Sequence, residues 1–161
     1  MTTVESVRRW TACAAALMLT GALSACTLTI PTDPDGTLSA VSGGTLRVGA
    51  GEEPGLIEID GRTATGPLPD LVTSFAERID ADTEWVIAGE QTLVTMLEEG
   101  ELDLAIGAFQ GDTPWSDRAG VTRAYSDLPG TGGREVVMLV PLGENAFLSQ
   151  LELFLDEEAE R

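Results

Sequence analysis

The chain has 161 residues with 27 acidic and 9 basic side chains, no histidine and a formal net charge of −18. That balance argues against a nucleic-acid ligand and against electrostatic adhesion to anionic lipid headgroups; its ordinary meaning is solubility for an exported protein. Without histidine the chain has no His-based general base, catalytic triad or imidazole metal site.

Arg8 and Arg9 precede an apolar run, Thr11 to Leu23, that is too short to span a bilayer as a permanent helix. The run ends in Leu23-Ser-Ala-Cys26, which resembles the lipobox of bacterial lipoproteins, where small residues admit the processing peptidase and the cysteine thiol takes the lipid. Residues 1–25 are therefore expected to be a lipoprotein signal peptide. Cys26 is the expected lipidation site, and the protein is expected on the extracytoplasmic face of the cell envelope. Cleavage there leaves 136 residues, enough for one domain with a modest core, and 26 acidic against 7 basic side chains. Cys13 departs with the signal and Cys26 is consumed by lipid, so no internal disulfide braces the fold. Residues 26–44, rich in Thr, Pro, Asp, Ser and Gly, read as a flexible tether.

The folded unit is expected over 45–158. Leu46, Val48 and Ala50 mark a first strand, followed by a loop from Gly51 to Thr65. Pro69-Asp70 opens a helix with Leu71, Val72, Phe75, Ala76 and Ile79 on one face; proline needs no intrahelical donor there, and the carboxylate meets the positive end of the dipole. Thr83 to Ala88 reads as a second strand, and Gln91 to Glu99 as a helix with Leu93, Met96 and Leu97 inward and Gly100 as its cap. Leu102 to Gly107 is a nearly continuous apolar strand, as expected when helices cover both faces of a sheet. It runs into a polar, aromatic loop that ends at Tyr125. A fourth strand, Val136 to Val140, and a helix from Asn145 to Glu158 with a Phe147, Leu148, Leu151, Phe154, Leu155 stripe complete the chain. The predicted fold is α/β: a single three-layer lobe with a mostly parallel sheet of about four to five strands, in β-α-β-α-β-β-α order.

These segments resemble the extracellular solute-binding proteins of bacterial family 3, which have the type II periplasmic binding protein fold. The resemblance runs through Thr45-Leu-Arg-Val-Gly49, Gly66-Pro-Leu-Pro-Asp-Leu71 and Phe75-Ala-Glu77, then Leu97 to Gly107, and closes with Thr122-Arg-Ala-Tyr125. It implies a binding protein serving an ABC importer of amino acids or similar polar solutes. Three departures qualify that implication. The aromatic platform such proteins carry after the first strand is replaced by Gly51-Glu-Glu-Pro-Gly-Leu56. The arginine that follows their Thr-Pro pair is replaced by Trp115 or Ser116, with Arg118 two or three residues beyond. Of their Gly-Phe-acidic-x-Asp signature only Gly66 and Asp70 remain, with Leu68 at the first acidic position. Members fold as two lobes that close over the solute, whereas 136 residues suffice for one, so a single-lobed lipoprotein variant is expected.

In open α/β sheets the ligand crevice lies outside the carboxyl ends of the strands, which makes Gln110, Asp112, Thr113, Trp115 and Arg118 candidate ligand-binding residues, with Asp70 at the helix start. Each has a plainer role beside the functional one. Asp70 can simply stabilise the first helical turn, Trp115 can pack the loop on the lobe, and Arg118 can pair with Asp112 or Asp117. Trp85 reads as core, and Glu52 and Glu53 as a solvated loop without metal spacing. The sequence calls for no catalytic residue, metal or cofactor, since no spaced acid pair stands out. The leading expectation is a non-enzymatic, lipid-anchored solute-binding or sensing module. Its partners would be a small polar solute, amino-acid-like or cationic, and a membrane permease or other envelope protein. The alternative is an interaction module that docks on a transporter or other membrane protein without a small ligand.

Overall fold

The computed structural model describes residues 32–161; the signal segment, Cys26 and the first part of the expected tether lie outside the described residues. Among the described residues the elements run α1 (Thr37–Val41), β1 (Thr45–Ala50), β2 (Glu58–Asp60), β3 (Thr63–Thr65), α2 (Pro67–Arg78), β4 (Asp82–Ile87), α3 (Glu90–Glu98), β5 (Leu104–Ile106), β6 (Ala119–Val121), β7 (Leu139–Pro141) and α4 (Asn145–Ala159). Five strands form one sheet in the order β4-β1-β5-β7-β6, and β2 and β3 form a separate hairpin. β1 pairs in parallel with β4 and with β5. β7 runs antiparallel to both β5 and β6, so within the sheet it alone opposes the common direction. Helices cover both faces, and the result is a three-layer α/β lobe with a mostly parallel sheet.

Strand alternation decides which helix packs where, because successive side chains of a strand point to opposite faces. Leu104 and Ile106 of β5, with Leu46, Val48 and Ala50 of β1 and Met138 and Val140 near β7, join the face covered by Val41 of α1, Val72 and Phe75 of α2, and Phe147, Leu151 and Phe154 of α4. Phe75 is the centre of that layer, with ring centroids 5.8 Å from Phe147 and 5.6 Å from Phe154. Ala105, Val137 and Leu139 face the other way, against Leu93, Val94 and Leu97 of α3. Gly49 belongs to this second face. A Cβ there would lie 2.6 Å from both Leu93 Cδ2 and Leu102 Cδ1, so the missing side chain is what lets α3 approach the sheet.

Gly66 is the N-cap of α2 at φ +119, and a Cβ on it would lie 2.7 Å from the Leu56 carbonyl oxygen, so glycine is required both by conformation and by space. Pro67 and Pro69 occupy the first turn, and Asp70 donates its amide to the Gly66 carbonyl at 2.9 Å. Proline fits there because first-turn amides have no intrahelical acceptor.

Four expectations change. The tether reading of 26–44 does not hold for its described part. Thr37 and Val41 are buried, and Asp33 Oδ1 accepts the amides of Ala146 and Phe147 at 2.7 and 3.0 Å. The buried Glu144 carboxylate accepts the amides of Asp35 and Thr37 at 2.9 and 2.8 Å. A segment poor in apolar residues is thus held by carboxylate-to-amide bonds, a signal that hydrophobic periodicity does not carry. The loop Gly51 to Thr65 contains the β2–β3 hairpin. The loop before Tyr125 contains β6, and the fourth predicted strand is displaced to β7, with Val136 instead bridged to Tyr125. Among the described residues no helix is long and apolar enough to cross a membrane.

Candidate functional site

The carboxyl ends of β1 and β5 converge where the amide of Gly51 donates to the Ile106 carbonyl at 2.9 Å. Above this junction lies an open cleft of about 480 Å³ lined by the loop after β1 (Glu53, Leu56), the loop after β5 (Gly107, Ala108, Phe109, Gln110) and the segment Arg134, Glu135, Val136. Leu56, Phe109 and Val136 are buried apolar residues beneath exposed Gln110 and Glu135. An apolar floor with a few polar groups at the rim is the general form of a small-molecule site.

The loop after β1 is a tight turn in which Glu53 and Ile57 exchange backbone hydrogen bonds, 3.1 Å from the Glu53 amide and 2.7 Å from the Ile57 amide. Gly55 sits at its apex at φ +80, with a Cβ position only 3.2 Å from Arg134 Nη2, so the absent side chain leaves room for the guanidinium beside the turn. Arg134 Nη1 donates to Glu53 Oε1 at 3.1 Å and to the Pro54 carbonyl at 3.0 Å, joining two walls of the cleft. Glu135 reaches toward the continuation of the β5 loop: its Oε1 lies 3.3 Å from where a Cβ on Gly111 would be.

The predicted site residues scatter. Gln110 lines this cleft. Thr113 is buried and donates its amide to the Gln110 carbonyl at 3.0 Å, which shapes the loop, while Asp112 is exposed beside it. Asp70 borders a different hollow with Ser74, Pro129 and Glu158. Trp115 is half-buried against the α3 layer, with the Arg118 guanidinium carbon 5.5 Å from its ring centroid, so it anchors the loop. Arg118 lies at the amino end of β6, the end of the sheet remote from the cleft. Its partner is Glu98, reached by Nε at 2.8 Å and by Nη2, with neither Asp112 nor Asp117 taking that place. This hydrogen bond holds the Glu98 carboxyl below, and the Arg118 guanidinium above, their ordinary pKa values.

That amino end has a hollow of its own, about 500 Å³, with Arg47, Asp103, Asp117 and Arg118 in its wall. Its cations are spoken for: Arg47 donates to the buried Asp103 through its amide at 2.9 Å, Nε at 3.0 Å and Nη2 at 2.5 Å. Among the described residues no group of three or more acidic or cysteine side chains is placed to hold a metal ion.

The sequence matches no protein-family profile and no curated protein. Among solved structures, the chain is similar to a single-substitution variant of the arginine-bound form of domain 1 from TmArgBP, with a TM-score of 0.62 at 20% identity over 73% of this chain and 93% of that one. The fold is that of a periplasmic binding-protein lobe. The same domain without the substitution gives a TM-score of 0.60 at 21% identity, covering 70% of this chain and 92% of that one. The substrate-binding protein of an amino acid ABC transporter gives 0.57 at 10% identity, with 70% and 92% covered. In a lobe of this kind the carboxyl-end cleft is where the sheet presents its loops; Phe109, Arg134 and Glu135 are residues there that the sequence reading passed over, and Glu53, expected on a solvated loop, is paired there with Arg134. For Arg134 and Glu135 a signal was present: two charged side chains directly after Gly132-Gly133 and directly before an apolar strand are a strand–loop junction, like the one read after β5.

Proposed function

We propose that the protein is a lipid-anchored, extracytoplasmic module that binds a small polar, amino-acid-like solute at the carboxyl-end cleft and performs no chemistry on it. The solute is presented to a permease or other envelope protein, and Cys26 carries the anchor. The observation that carries the reading is the cleft itself: an apolar floor of Leu56, Phe109 and Val136 rimmed by Gln110, Glu53, Arg134 and Glu135, which offers groups of both signs to a zwitterion. Support also comes from the arginine-bound lobe and the amino acid transporter component among the similar structures.

Because the cleft is open, burial of a solute is partial and the affinity should be modest, with a dissociation constant of about 10 μM to 1 mM. Isothermal titration of the full chain in detergent micelles against the proteinogenic amino acids and polyamines tests this. Binding of at least one, lost on Gln110→Ala combined with Phe109→Ala, supports it. No heat from any of them favours the docking module over the binding module. Fractionation of cells expressing wild type and Cys26→Ser tests the anchor: the wild type should pellet with membranes and the variant should not.

A further inference from the structure

We infer that Arg134 is the residue that holds the anionic group of the solute, and that Glu53, its internal counter-ion in the free cleft, competes with a solute carboxylate for the same guanidinium. This rests on the proposed binding function. Among the described residues Arg134 is the sole cation in the cleft wall, and its side chain is 41% exposed. Both of its side-chain bonds, to Glu53 Oε1 and the Pro54 carbonyl, leave from Nη1. Among the described residues Nε and Nη2 donate to no protein group, although a guanidinium offers five N–H donors in a planar fork suited to two carboxylate oxygens.

The other arginines near the sheet are committed elsewhere: Arg47 to Asp103, Arg118 to Glu98 and Arg123 to Asp156. Glu53, with its side chain 26% exposed, is therefore both a tether for Arg134 and a competitor for it. A negative group entering the cleft has Nε and Nη2, the latter beside Gly55, as N–H groups without a protein acceptor among the described residues, and the weaker the hold of Glu53, the better it is received. The consequence has an unusual sign, because removing a side chain of the binding cleft strengthens binding.

The test uses the full chain in detergent micelles and three probe pairs that differ in the α-carboxylate alone: arginine and agmatine, glutamate and γ-aminobutyrate, leucine and isoamylamine. For the pair that binds, the wild type should favour the amino acid by about tenfold. Arg134→Gln should bring the two members within about twofold, and Arg134→Lys, which keeps the charge without the fork, should fall between. Glu53→Gln should tighten the amino acid by about two- to fivefold, the worth of a half-exposed ion pair. Binding without discrimination, discrimination that survives Arg134→Gln, or weaker amino acid binding in Glu53→Gln each overturns the inference while the binding function stands. If Arg134→Gln does not fold, the sign of the Glu53→Gln effect decides alone. If neither wild type nor Glu53→Gln binds these probes or any other proteinogenic amino acid or polyamine, the binding function fails and the inference falls with it.

Discussion

Replacing Asp33 with alanine separates a tethered entry to the lobe from a docked one. In the structure Oδ1 of Asp33 accepts two amides at the start of α4, Ala146 and Phe147, while Oδ2 accepts the Leu38 amide of α1 at 2.9 Å. First-turn amides have no intrahelical acceptor, so the carboxylate serves both helices at once. Loss of a helix cap costs about 0.5–2 kcal/mol, and the further bond to Leu38 about 0.5–1.5 kcal/mol, which places Asp33→Ala near ~2 kcal/mol. For a folded unit of this size each kcal/mol moves the midpoint by roughly 3–5 °C, so thermal denaturation of the full chain should show a drop of about 6–10 °C. Asp33→Asn keeps one acceptor and should lose less. Hydrogen exchange should report faster loss of protection at Leu38, Ala146 and Phe147 than at Leu46 and Val48 of β1. A midpoint shift under about 1 °C would refute the docking, because a residue in a free tether contributes within the scatter of surface substitutions.

Three other outcomes follow from the same geometry. Gly49→Ala should destabilise by about 1–3 kcal/mol in denaturant titration, since the added methyl must displace Leu93 and Leu102, and a neutral result would show that α3 sits farther from the sheet. Arg118→Gln should leave solute affinity unchanged in calorimetry, because its guanidinium is engaged with Glu98 at the opposite end of the sheet; a loss of tenfold would return it to the site. Tyr125 is the chain's single tyrosine, and burial first, then its hydrogen bond to Asp156, pushes its hydroxyl far above the ordinary range. A raised folded pKa means its contribution to stability is complete below the unfolded value of about 10 and is lost as pH rises beyond it. Tyrosinate absorbance should therefore appear only with unfolding, and its appearance in the native state near the ordinary pKa would contradict the burial.

The parts of the fold legible in the sequence are those whose identity is local. β1, α2, β4 and α3 each carry their own apolar period: Leu46, Val48 and Ala50 at spacing two, and Leu68, Leu71, Val72, Phe75 and Ala76 at helical spacing. β6 has no such signal. Ala119-Gly120-Val121 becomes a strand through its pairing with β7, and Gly120 is suited to it because a Cβ would lie 2.9 Å from Val140 Cγ2. The hairpin was half legible, since Asp60-Gly61 is a turn signal and Gly61 takes φ +62, but three-residue strands with exposed Glu58, Asp60 and Thr63 offer little apolar alternation. Asp33 and Glu144 act across more than a hundred residues of sequence, where no window reaches.

The site divides along the same line, and the reason is the direction of two strands. A loop that leaves the carboxyl end of a parallel strand begins at the crevice, which brings Gln110 to it. To start β6 in the direction of β5, the chain must then cross the whole sheet, and whatever immediately precedes β6 arrives at the far end. Arg118 precedes β6 by one residue, so topology alone removes it from the cleft. β7 runs the other way, so the approach to its amino end lies beside the carboxyl ends of its neighbours, and Arg134 and Glu135 come to the crevice by entering a strand rather than leaving one. The rule that sites lie after strands holds for parallel strands and inverts for the antiparallel one. A charged pair after Gly132-Gly133 is thus the place to look for the cation that the loop after β5 does not supply.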